Sequence, residues 1–268
     1  MNFVEIAGGL GNQMFQYTFS KYLETVTGKP ALLYLNYFDY AAKDPNIICA
    51  REFDLSYFNV RYSSVKGTVK YGKLVTDAEF VDDPGSIPLG FYKGYWQDKR
   101  YFESISDVVK TDLSLNSQYI TSDIEKEAKL LSDSDSVSIH IRRNDYQLGN
   151  NKEIFYQLDA SYYESALEYL SDVLEKDLTL FVFSDDLDYV ENNYVFLNLY
   201  EHHFMTGHKA YEDLCLMTRA RHHIIANSTF SWWGAVLSDC TDGITIAPRH
   251  WYRQLPDPNL YFDNWIKL

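Results

Sequence analysis

Positive charge is scarce in this sequence. Its 268 residues set 24 Lys and Arg against 38 Asp and Glu, a formal net charge of −14. A surface of that sign repels nucleic acid and anionic bilayers, so a nucleic-acid partner is excluded. Long apolar runs are missing too: no stretch approaches the roughly 18 unbroken apolar residues that span a bilayer, so no transmembrane segment is expected. The opening MNFVEIAGGLGNQ has no early Lys or Arg and too short an apolar stretch for a secretory signal. Cysteine is limited to Cys49, Cys215 and Cys240. Three widely spaced cysteines do not make a disulfide framework or a zinc site, and they predict buried free thiols in a reducing cytoplasm.

Aromatic residues are abundant at 16% of the chain, 23 of them tyrosine, which supplies rings for a core and for stacking on sugars or bases. The chain opens with the alternating apolar residues Phe3, Val4 and Ile6, then Gly8, Gly9 and Gly11, then a helical pattern from Asn12 to about Thr27. Gly28 and Pro30 stop that helix, and Ala31 to Leu35 read as a second strand, completing a βαβ unit. Residues 36–110 carry weak signals, and only irregular α/β structure is expected there. Residues 116–135 read as a polar helix linking two halves, with a boundary near 125. Beyond it strands at 137–142, 178–183, 195–199, 222–226 and 243–247 alternate with helices at about 162–175, 209–220 and 229–239 and a short one after 186. That alternation implies a parallel sheet. Ser161 and Glu164 form the expected capping box of the 162–175 helix.

Four segments could carry chemistry. HIRRNDY, residues 140–146, closes the strand at 137–142. Side chains alternate across a strand, so His140 and Arg142 share one face about 7 Å apart while Ile139 and Ile141 take the other. Ligands of open parallel sheets bind at the carboxyl ends of strands, and an arginine pair there suits a diphosphate, whose oxygens accept forked N–H bonds. Arg142 and Arg143 equally suit a structural network with Asp145 and neighbouring carboxylates, and His140 alone reads as an interior histidine. FSDD, residues 183–186, sets Asp185 and Asp186 at the next strand's end. There they can accept from a nucleobase or ribose, hold a metal, or cap the following helix.

ANSTFSWWGAVL, residues 226–237, places Asn227, Ser228, Thr229 and Ser231 at a helix start, a seat for phosphate. Its glycosylation pattern is set aside because the segment is predicted to be part buried. In GGLGNQMFQY, residues 8–17, Gly9 and Gly11 bring backbone close to a ligand or simply form a tight turn, and Asn12 and Gln13 add amides. Met14 stands where a dinucleotide fingerprint has its third glycine, and no GK[ST] follows, against a nicotinamide enzyme or a P-loop. The triplet Asp133-Ser134-Asp135 reads as a solvent-facing loop, and the pairs His202-His203 and His222-His223 lack zinc spacing, so no metal site is read.

These segments, with GYWQDKRYF at 94–102 and LDASYYESALEYL at 158–170, resemble in order and spacing the α-1,2-fucosyltransferases of glycosyltransferase family 11, over about residues 1–252. The resemblance implies a GT-B-like α/β fold of two Rossmann-like domains, each with a parallel sheet, and an interdomain cleft. Residues 1–125 would form the acceptor side and 126–268 the GDP-sugar-binding domain. It implies inverting transfer of L-fucose from GDP-β-L-fucose to the 2-hydroxyl of a terminal β-galactoside, with no metal or other cofactor.

By position Arg142 matches the arginine on the donor β-phosphate, with Arg143 supporting, and His140 a residue on the guanine side. Asp185 or Asp186 matches the carboxylate reading guanine or ribose. Ser228, Thr229 and Ser231 match a second phosphate contact, and Asn12 an asparagine facing the reacting centre. The family usually has glycine where Asn144 stands. No carboxylate stands out as general base: Asp39, Glu52 and Asp145 are candidates, beside a mechanism with no strong base. Transfer of another sugar, another linkage, or a non-catalytic glycan-binding module are the competing readings. With no anchor visible, the resemblance implies a cytoplasmic enzyme of O-antigen or capsule synthesis, working on a free or lipid-linked acceptor at the inner face of the membrane.

Overall fold

Apolar alternation makes β1 (Asn2–Glu5), whose Val4 is completely buried. The computed structural model describes residues 1–44 and 51–268; Cys49 lies outside the described residues. After β1 the chain enters the helix Leu10–Thr27, which ends where Gly28 turns left-handed at φ 62. β2 (Ala31–Tyr34) follows, as the opening βαβ pattern predicts.

The weakly patterned stretch holds three more strands, β3 (Ser64–Val65), β4 (Lys73–Thr76) and β5 (Gly90–Lys93). All pair in parallel in the order β3-β2-β1-β5-β4. Gly90 permits the closest approach in this sheet, since a Cβ there would meet the Lys73 carbonyl at 2.3 Å. The core of this first unit, Met1–Asn116, is aromatic. Phe19 of the long helix lies flat on Trp96, centroids 3.7 Å apart, with Tyr92, Tyr101 and Phe80 around the pair.

The second unit, Ser117–Leu268, contains β6 (Ser136–Ile141), β7 (Thr179–Ser184), β8 (Glu201–Phe204), β9 (His222–Ile224), β10 (Thr245–Ala247) and β11 (Ile266–Lys267). They too are all parallel, in the order β11-β10-β9-β6-β7-β8. The division falls nine residues before the one read from the sequence. The helix Ser122–Asp133, which a cut at 125 would split, packs Ile124 and Leu131 into the core of the second unit. Alternation on β6 is as expected: Val137, Ile139 and Ile141 pack with Tyr163, Leu167 and Leu170 of the helix Ala160–Leu174.

Three local readings are corrected. Residues 195–199 form a 3-10 turn rather than a strand, and pairing with β7 starts only at Glu201. The Ala160–Leu174 helix is capped by Asp159, whose carboxylate accepts the Ser161 N–H, so Ser161 lies inside the helix. Of the described cysteines, Cys215 is buried but Cys240 is only partly so. Among the described residues no helix is long and apolar enough to cross a membrane.

In the second sheet the strand order reverses once, and that reversal places the arginine turn. In the first unit the chain runs β1-β2-β3 to one side, crosses to β4 at the far edge and returns to β5 beside β1; in the second unit it runs β6-β7-β8 and resumes at β9 beside β6. Loops leaving adjacent strands in opposite directions leave a crevice at the strands' carboxyl ends, where ligands of such sheets bind.

Candidate functional site

At the reversal in the second unit the chain leaves β6 at Arg142 and leaves β9 toward Asn227. Arg142 presents its fork to Asp145, with Nε 2.9 Å from one carboxylate oxygen and Nη2 2.6 Å from the other. Nη1 lies 3.0 Å from Asp185 Oδ2. That last contact is an ion pair without hydrogen-bond alignment, for Asp185 Oδ2 is buried and accepts no hydrogen bond. Burial works against the Arg142 charge, but Asp185 and Asp145 outweigh it and hold its pKa above the ordinary arginine value. Of the five guanidinium N–H groups, three face carboxylates, leaving two for a ligand.

Arg143 turns away toward β7. Its backbone N–H donates to Asp185 Oδ1 at 2.9 Å and its Nε to Asp186 at 3.2 Å, while its guanidinium lies over the Tyr189 ring. Asp186 also caps the helix Leu187–Asn193. Arg143, Asp185 and Asp186 therefore build the clamp between the two strand ends, as the structural-network reading expects. Asn144, in the family's glycine position, has φ −41. Its backbone is right-handed, so the added side chain brings no strain, and its amide donates to the Asp185 carbonyl.

His140 is buried with its ring beside Phe230, and burial together with the neighbouring Arg142 charge lowers its pKa to about 3. It is a neutral interior ring whose Nδ1 has no partner. Asn227 is consumed by the fold: its amide donates to the carbonyls of Tyr156 and Trp251 at 2.9 and 2.8 Å. Ser228 holds the N-cap position of the helix Thr229–Val236 without a side-chain capping bond. Thr229 is the partly exposed first residue of that helix. Ser231 does not present its hydroxyl as expected; it is fully buried and bonds the carbonyls of Ala226 and Ser228. The resulting edge offers a preset cation from β6 beside a helix N-terminus from β9, the arrangement that binds phosphate oxygens.

In the turn after β1 the glycine that matters is Gly8. It has φ +78, and a Cβ there would stand 3.0 Å from the Asn12 amide; Gly9 has an ordinary φ of −74 and only a 3.8 Å neighbour. Gly11 is buried inside the helix. Asn12 Oδ1 accepts from Gln97 Nε2 at 3.0 Å. Gln13, expected to offer its amide to a ligand, is wholly buried. It donates to Gly8 and Glu52 carbonyls and accepts from the Asp54 N–H. Gln16 ties Ala7 to Gly94 in the same way.

Of the carboxylates considered as base, Asp39 is exposed and paired with Lys66, and Glu52 is exposed. Asp145 has both oxygens on Arg142, which leaves it positioning that arginine rather than taking a proton. Asp135 is not free in solvent as its loop implied, since it pairs with Lys176 and Arg221. Among the described residues no three His, Cys, Asp or Glu side chains converge as a metal would need. Two contributors were not singled out from sequence: Tyr146, inside HIRRNDY, and Tyr189, three residues after the capping Asp186. The second could have been found from its spacing, since i+3 on a helix returns to the capped face.

A family model described as Glycosyl transferase family 11 matches residues 1–268. The chain is 29% identical to the O-antigen biosynthesis glycosyltransferase WbnK of Escherichia coli, over 98% of this chain and 99% of that one. It is 32% identical to an alpha-1,2-colitosyltransferase of Escherichia coli, over 93% and 91% of the two chains. Among solved structures, fucosyltransferase NodZ from Bradyrhizobium aligns at a TM-score of 0.49 and 11% identity, over 90% of this chain and 95% of that one.

Proposed function

Because this chain belongs to glycosyl transferase family 11, we propose that it transfers L-fucose from GDP-β-L-fucose to the 2-hydroxyl of a terminal β-galactoside, inverting the anomeric centre. The observation that carries the reading is Arg142, a guanidinium preset by two carboxylates at the reversal of the second sheet, beside the first turn of the Thr229–Val236 helix. Breaking the bond to the sugar builds negative charge on the leaving diphosphate. A cation fixed before reaction stabilises that charge without reorganising, which is the strongest single lever for such a step. The two remaining N–H groups of Arg142, the N–H groups of the helix start and the Thr229 hydroxyl are the donors for the diphosphate.

The acceptor hydroxyl must lose a proton as its bond to the sugar forms. No metal is invoked, because the diphosphate charge is met by Arg142 and helix donors. A second reading has one observation in its favour, the 32% identical relative named as an α-1,2-colitosyltransferase: the same linkage, with a colitosyl donor. Incubation of the purified protein with GDP-fucose or with a colitosyl donor and a panel of β-galactosides, followed by mass and linkage analysis, decides between them. An α-1,2-linked fucosyl product supports the first reading. Turnover only with the colitosyl donor supports the second, and GDP-independent glycan binding without turnover overturns both.

A further inference from the structure

We propose that Tyr146 is a positioning residue that sets the gap between the arginine loop after β6 and the turn after β9, and so presets the diphosphate site before the donor arrives; this rests on the GDP-sugar reading above. Its hydroxyl donates to the Asn227 carbonyl at 2.8 Å. That bond crosses from one turn to the other at the point where the two adjacent strands part. The ring has a second task. Phe155 stacks on it nearly parallel, centroids 4.0 Å apart at 9°, and the Arg142 guanidinium lies 5.7 Å from its centroid. Tyr146 thus sits between the cation and an aromatic wall.

The wall is itself anchored. Phe155 bridges antiparallel to Tyr252, the Tyr156 N–H donates to the Trp251 carbonyl, and Gln157 donates to the carbonyls of Tyr146 and Phe155. Asn227 closes the circuit by holding Tyr156 and Trp251. The excursion between residues 143 and 157 would otherwise be a long polar surface loop. These contacts fix it, through Tyr146 and Asn227, to the helix start that the donor needs. Burial pushes the Tyr146 phenol well above its ordinary range, so the group stays a proton donor at every working pH.

The test uses Tyr146→Phe, which keeps the ring and loses the bond to the Asn227 carbonyl, and Tyr146→Leu, which loses both tasks. Tyr261→Phe is the control, since it deletes a comparable bond, to the Pro248 carbonyl, that joins neither turn. GDP affinity is read by calorimetry, and donor KM and kcat by initial rates. One hydrogen bond predicts a donor KM and GDP Kd raised about two- to tenfold in Tyr146→Phe, with kcat at saturation and the thermal midpoint near wild type. A further loss is expected in Tyr146→Leu and no change in Tyr261→Phe. Wild-type GDP affinity in Tyr146→Phe, or a fall in kcat with KM unchanged, overturns the positioning role while leaving the donor reading intact. Failure of the wild type itself to bind GDP overturns the donor reading and this role with it.

Discussion

Arg142 and Arg143 differ by one position, yet the turn after β6 gives them different tasks: Arg142 meets Asp145 and Asp185, whereas Arg143 is spent on Asp186 and Tyr189. Lysine keeps a charge but cannot offer the parallel N–H pair that Asp145 accepts. Arg142→Lys is therefore expected to lower kcat/KM by about 100-fold or more, the cost of losing one preorganised donor at developing charge. Initial-rate kinetics check this, and near wild-type turnover would refute the assigned role. Asp145→Asn should also slow transfer, by loosening Arg142, while leaving the shape of the pH–rate profile unchanged. Loss of an acidic limb in that profile would return Asp145 to the role of base.

His140 and His223 carry a residue-scale prediction about pH. Burial lowers both to about 3 in the folded chain, whereas unfolded histidine titrates near 6.5. The unfolded state therefore binds the extra protons, so their stabilising effect is complete above about pH 6.5 and is lost as pH falls toward 3, by about 1.4 kcal/mol per unit for each ring. Asp213, raised by burial to about 6, works the other way between its unfolded value and pH 6 and offsets part of this loss. His223→Gln should flatten the urea-unfolding free energy between pH 6 and 5 by about 1 kcal/mol per unit. An unchanged slope would mean that His223 is protonated in the fold.

At the scale of elements, the turn into the first helix depends on one glycine. Gly8→Ala forces a side chain into φ +78 against Asn12 and should cost about 1 to 2 kcal/mol, while Gly9→Ala should be nearly neutral. Urea melts of the two variants test the contrast, and equal costs would refute it. The same turn shows how far the sequence could be read. Glycine spacing located it, but φ depends on the packed backbone, so Gly9 and Gly11 were singled out and Gly8 was not. Strands flanked by strong periodicity, such as β6 and β7, were legible to within a residue or two. β3 has only two residues and β4 has a single buried one, too little pattern to detect. In the candidate site the charged residues were legible because strand ends expose them. The Tyr146 bond to Asn227, and the amides of Gln13 and Gln16, join residues remote in sequence and leave no local signal.

For the whole molecule, family membership and two parallel sheets, the second with one reversal of strand order, frame a glycosyltransferase. The −14 net charge makes the cation at the second sheet's reversal stand out as the feature that would draw a diphosphate to an acidic protein. Initial rates in excess chelator should equal those without it; a loss restored by manganese would give Asp185 and Asp186 a metal to hold. The most direct test is a crystal structure of the protein with GDP bound. Diphosphate oxygens within about 3 Å of the Arg142 guanidinium and of the N–H groups opening the Thr229–Val236 helix are predicted. A nucleotide lodged elsewhere, with Arg142 still closed on Asp145 and Asp185 alone, would contradict the proposed donor site.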